Sequence, residues 1–324
     1  MKKNKPRNIL LPTVLRLAGE RLHIRYSRVA PPALPKRATL LRRTNDRAGR
    51  LASRYWQTSS KGQYRLDWLD AGVFDLDAKR GKVTCVLYPD ISPGAVEEVL
   101  RGPVCAFFLL ERGFEPLHAS AVALDGRCLA FAGAPGAGKS SLVAWLSRNG
   151  AQFLCDDILP LRQKGGMVWG HPGLPQLRLE PPAAQKLGWR GHQEARSPSS
   201  QLREKSTFPV TPPREPNRVA RIYLLERIPP QKGRQRSKKS ASGNAQAHRV
   251  QAHRVQIQRV RPRQAFRALL KSTRNDSLDT PARLRRQMSL FAHIARTVPV
   301  CRLRYPRDYG ALPAVLAQIQ QDLK

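Results

Sequence analysis

The sequence predicts an α/β protein, with a smaller β-rich region over residues 1–100 followed by an α/β unit over residues 101–324. Three observations carry that expectation. The runs 64-YRLDWLDAGVFDLD-77 and 83-VTCVLYP-89 are short, alternating or apolar, and broken by Gly, Pro and charge, as strands joined by tight turns are. Residues 127–157 set out an apolar run, a glycine-rich turn, an amphipathic stretch and a second apolar run. Residues 264–273 and 281–298 space their apolar side chains as helices do.

Taken in order, the first 45 residues give short strand-like pieces separated by Pro31, Pro32 and Pro35. From Ser92 the pattern changes: Ser-Pro opens 92-SPGAVEEVLRGPVCAFFLLERG-113, and one or two helices are expected to end at Gly113. After His118, residues 119–126 read as strand and turn, 127–133 as a buried strand, 139–150 as a helix closed by glycine, and 152–157 as a strand running out into Asp156 and Asp157. A hairpin is expected around Gly165-Gly166, a short proline-opened helix within 177–189, an exposed loop over 190–216, and a core strand at 219–227. A five-residue unit repeats in 246-QAHRVQAHRVQIQRV-260, a period that fits neither strand nor helix, so residues of about 229–262 read as a basic, mobile insert. In the second helix beyond it, Leu284, Met288, Phe291 and Ile294 or Ala295 share one face; a strand near 300–305 and a helix around 309–323 complete the unit.

Charge is the most unusual global property. With 58 basic against 23 acidic residues the formal net charge is +35, which attracts polyanions. The excess is uneven: Arg227 to Asn275 holds 14 Lys or Arg and no acid, whereas nine acids lie between Asp67 and Glu115. Non-specific contact with nucleic acid through the basic insert is therefore expected, but the tract lacks the interleaved aromatics that stack bases. Cys85, Cys105, Cys128, Cys155 and Cys301 have neither paired short spacing nor histidine companions, and are expected as buried free thiols in a reducing compartment. The basic N-terminal head is followed by an apolar run broken at Pro12, Arg16, Glu20 and Arg21, and no stretch approaches eighteen uninterrupted apolar residues. The expectation is a cytoplasmic protein with no membrane partner.

The segment Gly133-Ala134-Pro135-Gly136-Ala137-Gly138-Lys139-Ser140, with Ser141 behind it, satisfies the phosphate-loop (Walker A) pattern. Small residues are required because successive backbone N–H groups must wrap around phosphate oxygens, and a side chain there would occupy ligand space. Lys139 is placed to reach the outer phosphates of ATP, the Ser140 hydroxyl to help hold Mg2+, and the helix that starts there adds its positive end. Phosphate-loop proteins pair this cradle with a carboxylate at the end of another strand, and 152-QFLCDD-157 offers two.

The run 118-HASAVALDGRCLAFAGAPGAGKSSLVAWLSRNGAQFLCDDILPL-161 resembles the catalytic domain of bacterial HPr kinase/phosphorylase, of the phosphate-loop kinase type shared with PEP carboxykinase. It is nearer to that enzyme's kinase-like relatives, some of which accompany lasso-peptide biosynthesis. Weaker similarity extends over 177-LRL-179, Lys205 and 219-VARIYLLE-226. The resemblance implies an ATP- and Mg2+-dependent serine kinase in which Asp156 is the base that activates the acceptor hydroxyl. Asp157 would be the partner of His118 and a contributor to the metal, and Arg178 and Lys205 are candidates to approach the transferred phosphate. It also implies a peptide or protein acceptor and the possibility of homo-oligomers. The family's later glycine-rich signature has no counterpart here, and Pro181 and Pro182 change the context of Glu180, so the forward kinase reaction is the part the resemblance supports. Three other readings use the same cradle: a small-molecule kinase, a nucleotide-dependent nucleic-acid or assembly protein, and a nucleotide-binding scaffold without chemistry.

Overall fold

The computed structural model describes residues 13–46, 48–58, 62–91, 93–190, 205–228, 255–273, 280–306 and 308–324. It is an α/β fold with two large sheets and several helices. The first sheet has seven strands: β1 (Val14–Leu17), β2 (Glu20–Ser27), β3 (Thr39–Asn45), β4 (Leu51–Gln57), β5 (Gln63–Trp68), β6 (Gly72–Asp77) and β7 (Lys82–Leu87). Their spatial order is β1-β2-β7-β6-β5-β4-β3, antiparallel throughout except where β2 lies parallel to β7. Alternate residues such as Leu22 and Ile24, or Tyr64 and Leu66, turn to one face, and that face is covered by helical chain. The covering chain is α1 (Pro93–Val99), a π-helical turn at Leu100–Val104 and α2 (Cys105–Glu111). Phe107 stacks on Tyr55 with ring centroids 5.6 Å apart, and Phe107, Phe108, Leu109 and Leu110 are all buried. Burying each such side chain contributes roughly 1.5–3 kcal/mol.

The second sheet has nine strands: β8 (Glu115–Leu117), β9 (Ala119–Leu124), β10 (Arg127–Ala132), β11 (Gln152–Cys155), β12 (Leu159–Lys164), β13 (Met167–Gly170), β16 (Asn217–Ile228), β17 (Gln256–Arg259) and β18 (Val300–Pro306). β14 (Gln176–Leu179) and β15 (Ser206–Pro209) form a separate ribbon. β10, β16 and β18 run parallel to one another, and β9 lies antiparallel between β10 and β11. One face is packed by α3 (Lys139–Arg148), α4 (Pro181–Lys186) and α7 (Leu312–Asp322). The other face is packed by α5 (Pro262–Lys271) and α6 (Pro281–Thr297).

Three sequence expectations change. The stretch 190–216 is not loop throughout: Ser206–Pro209 is a strand whose Ser206 and Phe208 are buried against the sheet, while residues 191–204 lie outside the described residues. Within the basic repeat, residues 229–254 lie outside the described residues, but the last, altered unit forms β17 on the edge of β18 and α5 begins at Pro262. The buried face of α6 is Arg283, Gln287, Leu290, Phe291 and Ile294, and Met288 is 37% exposed. The helix is turned by a polar demand: buried Glu115 accepts hydrogen bonds from Arg283 at 3.0 Å and Gln287 at 2.6 Å. A buried carboxylate without such partners would cost several kcal/mol.

Candidate active site

Topology brings the site together. Because β9 runs antiparallel between β10 and β11, those two strands run the same way and deliver their carboxyl ends to one sheet edge. The glycine loop follows β10 at Gly133, and Asp156 and Asp157 follow β11. The start of β9 lies at the same edge, with His118 just before it and Ser120 opposite Phe131.

The loop has the backbone its sequence demands. Gly133 has φ of +153°, and a Cβ there would lie 3.1 Å from the Leu225 carbonyl oxygen and 3.3 Å from Ala137 Cβ. Gly138 caps α3 with φ of +94°, a left-handed conformation that costs a residue with a side chain about 1 kcal/mol or more. α3 is then held by the Leu142 N–H donating to the Gly138 carbonyl at 2.9 Å and by the buried face of Leu142, Val143 and Leu146. Lys139 is only 8% exposed, which is unusual for lysine, and its ammonium donates to the carbonyl oxygens of Gly133 at 2.9 Å and Ala134 at 3.3 Å. Ser141 follows on α3, half-buried.

Asp156 is the polar centre of the edge. Its Oδ1 accepts hydrogen bonds from Ser120 Oγ at 2.6 Å and Ser140 Oγ at 2.8 Å, and its Oδ2 accepts one from the Arg178 backbone N–H at 3.1 Å. Ser120, a hydroxyl within the apolar strand 119-ASAVAL-124, is fully buried, and Asp156 is its acceptor. Asp157 differs in kind. Its backbone leaves the strand with φ of +71°, a region that Asp tolerates better than most residues but still at a cost of about 1 kcal/mol or more. That turn places both Asp157 Oδ1 and the Asp157 carbonyl oxygen near His118 Nδ1, at 3.1 and 3.0 Å. Both neighbours of Nδ1 are acceptors, so Nδ1 carries the proton and the ring is held in one tautomer. The Asp157 side chain is 38% exposed, whereas His118 is 21% exposed.

Beside the aspartates opens a small cleft lined by Leu17, Arg101, Ile158, Leu174, Gln176 and Arg178. Its cavity volume of ≈ 20 Å³ admits roughly one water-sized group. Leu17 and Arg101 bring the first sheet and the π-helical turn to the site, and the Ala18 N–H donates to the Pro172 carbonyl oxygen at 2.6 Å across the same junction. The structure thus gathers His118, Lys139, Ser140, Asp156, Asp157 and Arg178, whereas Lys205 is exposed. Sequence reasoning missed Ser120, whose signal was a lone hydroxyl in an alanine-rich strand, and missed Leu17 and Arg101, which only tertiary packing places here.

The residues fit a magnesium nucleotide. The loop presents no side chain larger than Pro135 before its lysine, the lysine is already drawn inside, and a hydroxyl and a carboxylate meet where the metal of such loops is held. Among the described residues no three His, Cys, Asp or Glu side chains converge as a metal site by themselves, so Mg2+ would need phosphate oxygens beside Ser140 and a carboxylate. Of the five cysteines, Cys105 lines the cleft and Cys155 immediately precedes Asp156. All five are buried, and burial pushes the Cys85, Cys105 and Cys128 thiols up to about 12. Among the described residues no helix is long and apolar enough to cross a membrane.

No protein-family model matches the chain, and no curated protein matches it. Among solved structures, the Hpr(Ser) kinase/phosphatase from Coxiella burnetii is a distant structural match, with a TM-score of 0.31 and 12% sequence identity over 64% of this chain and 95% of that one.

Proposed function

We propose that the chain is an ATP- and Mg2+-dependent phosphotransferase, an HPr-kinase-like serine kinase that moves the γ-phosphoryl group to a serine hydroxyl of a peptide or protein. The observation that carries this reading is the 2.8 Å hydrogen bond from Ser140 of the glycine loop to Asp156 at the end of a second strand. A glycine turn by itself binds nothing in particular, but a turn whose serine meets a carboxylate across the sheet edge has the two protein ligands that organise a nucleotide's metal.

When bound, ATP supplies the phosphoryl group and Mg2+ spreads the charge on its oxygens. The backbone N–H groups between Gly133 and Ser140, Pro135 excepted, and the positive end of α3 would hold the phosphates, and Lys139 would add a full positive charge beside them. Ser140 and Asp156 would hold the metal. Asp157, steadied by His118, would accept the proton of the acceptor hydroxyl. This division exchanges the base and metal roles that the family resemblance implies for the two aspartates. The reason is local: three donors already occupy the two oxygens of Asp156, whereas the Asp157 side chain is 38% exposed and lines the cleft. The peptide or protein acceptor rests on the sequence resemblance of residues 118–161.

The test is phosphate transfer from γ-labelled ATP to a library of seryl peptides, with free serine and sugars as separate arms. Mass spectrometry then identifies the hydroxyl that gains phosphate. Transfer to peptides that is lost in Lys139→Ala and Asp157→Asn supports the proposal; transfer to free serine or sugars alone replaces it with a small-molecule kinase.

A further inference from the structure

A charged feature outside the nucleotide site leads directly to it. α5 exposes Arg263, Arg267 and Lys271 at i, i+4 and i+8, so the three cations form one stripe along the helix. Among the described residues none of the three makes an ion pair with an acidic side chain. The helix ends on the site's own strand connection: the His118 N–H donates to the Ser272 carbonyl oxygen at 2.7 Å, and Leu117 bridges Thr273. The stripe therefore runs along α5 and stops, at Lys271, one residue before the backbone that holds His118.

Helix stability does not explain these charges. Arg263 lies in the first turn of α5, with Arg261 as its N-cap and no acid in that turn, and the helix dipole disfavours cations there. The Gln264 side chain accepts from the Arg261 N–H at 3.3 Å, so the turn has a cap that does not use the guanidinium groups. Only Lys271, in the last turn, sits where the dipole favours a cation.

We propose that the Arg263–Arg267–Lys271 stripe docks an acidic, extended segment of the acceptor chain and so places the neighbouring residues of that chain at the His118–Asp157 end of the site. The spacing suits that occupant. Successive charges on the stripe are about 6 Å apart along the helix, and carboxylates on alternate residues of an extended peptide are about 6.6 Å apart. A peptide is favoured over a single-stranded nucleic acid because the stripe exposes no aromatic ring for base stacking, with Phe266 half-buried. The inference rests on the kinase reading for what happens to the hydroxyl, but not for the binding itself.

The test uses the full chain and fluorescent Asp-Gly-Asp-Gly-Asp peptides carrying serine at one end or the other, with Asn-for-Asp versions as controls. Three proteins are compared: the native chain, Arg263→Gln/Arg267→Gln/Lys271→Gln, and Arg16→Gln/Arg21→Gln/Arg25→Gln. The last removes three exposed charges from the first sheet and controls for bulk attraction. The stripe variant should bind the acidic peptides about tenfold more weakly, raise KM in proportion and leave kcat unchanged, while the control variant stays within about twofold of native. Equal weakening in both variants overturns the proposal. So does an oligothymidine that displaces the peptide and depends on the same three residues more strongly. Peptide transfer with a KM unmoved in the stripe variant refutes the docking and leaves the kinase reading intact. Stripe-dependent binding with no transfer does the reverse.

Discussion

Asp156→Ala should separate the structural part of the site from its chemistry. The substitution removes the acceptor of three hydrogen bonds, from Ser120 Oγ, Ser140 Oγ and the Arg178 N–H. Ser120 is fully buried, so its hydroxyl is left without a partner, at a cost of about 1–3 kcal/mol. The Arg178 N–H adds a loss of similar kind, and relief of repulsion between adjacent carboxylates offsets part of both. The expected net loss in urea unfolding is about 2–4 kcal/mol. A further Ser120→Ala change in that background should restore about 1 kcal/mol by removing the orphaned hydroxyl. Asp157→Gly supplies the contrast. It removes an exposed carboxylate and relieves the φ of +71°, so stability should hold or rise by up to about 1 kcal/mol while phosphate transfer is lost. An Asp156→Ala loss below about 0.5 kcal/mol, or an Asp157→Gly loss as large as that of Asp156→Ala, would refute the assignment of Asp156 as the hydrogen-bonding node of the site.

Other consequences are equally specific. Gly133→Ala should lower affinity for a fluorescent ATP analogue at least tenfold and cost about 1–3 kcal/mol in unfolding, because the new Cβ meets the Leu225 carbonyl at 3.1 Å in a backbone region that alanine avoids. Arg283→Met should destabilise by about 3–5 kcal/mol, since it leaves Glu115 buried without its cation; the double variant Glu115→Leu/Arg283→Met should recover most of that in the same denaturation assay. Burial, with a smaller contribution from Arg162, holds the His171 imidazole down to about 4 against its ordinary 6.5. The unfolded chain therefore takes up this proton first. The stability due to keeping the ring neutral is complete above about pH 6.5 and is lost as pH falls towards 4, by at most about 3 kcal/mol. His171→Phe should flatten that part of the pH–stability curve.

Where each residue has its own local reason, the sequence was enough to place it. The glycines of 133–138, the apolar face of α3 and the Gly165-Gly166 hairpin follow from backbone permission and periodicity, and these elements stand where pattern puts them. The aspartates were legible as a pair, but their different surroundings were not. Strand alternation gives no hint that the chain turns left-handed at Asp157, or that a serine on the neighbouring antiparallel strand reaches Asp156. α6 shows the same limit from the other side. Apolar spacing put Met288 inward, whereas the need of buried Glu115 for two donors turned Arg283 and Gln287 inward instead. Leu17 and Arg101 carry no signal at all in one dimension, because a strand near the start and a π-helical turn reach the cleft only when the chain folds.

The most direct measurement is single-turnover transfer from γ-labelled MgATP to a seryl peptide, run with the native chain, Asp157→Asn and Asp156→Asn, alongside nucleotide binding at varied Mg2+. Asp157→Asn should bind MgATP normally and transfer at least 100-fold more slowly, whereas Asp156→Asn should lose the magnesium dependence of nucleotide binding. Full transfer by Asp157→Asn, or nucleotide binding by the native chain that is indifferent to Mg2+, would contradict a site in which Ser140 and Asp156 hold the metal and Asp157 takes the proton.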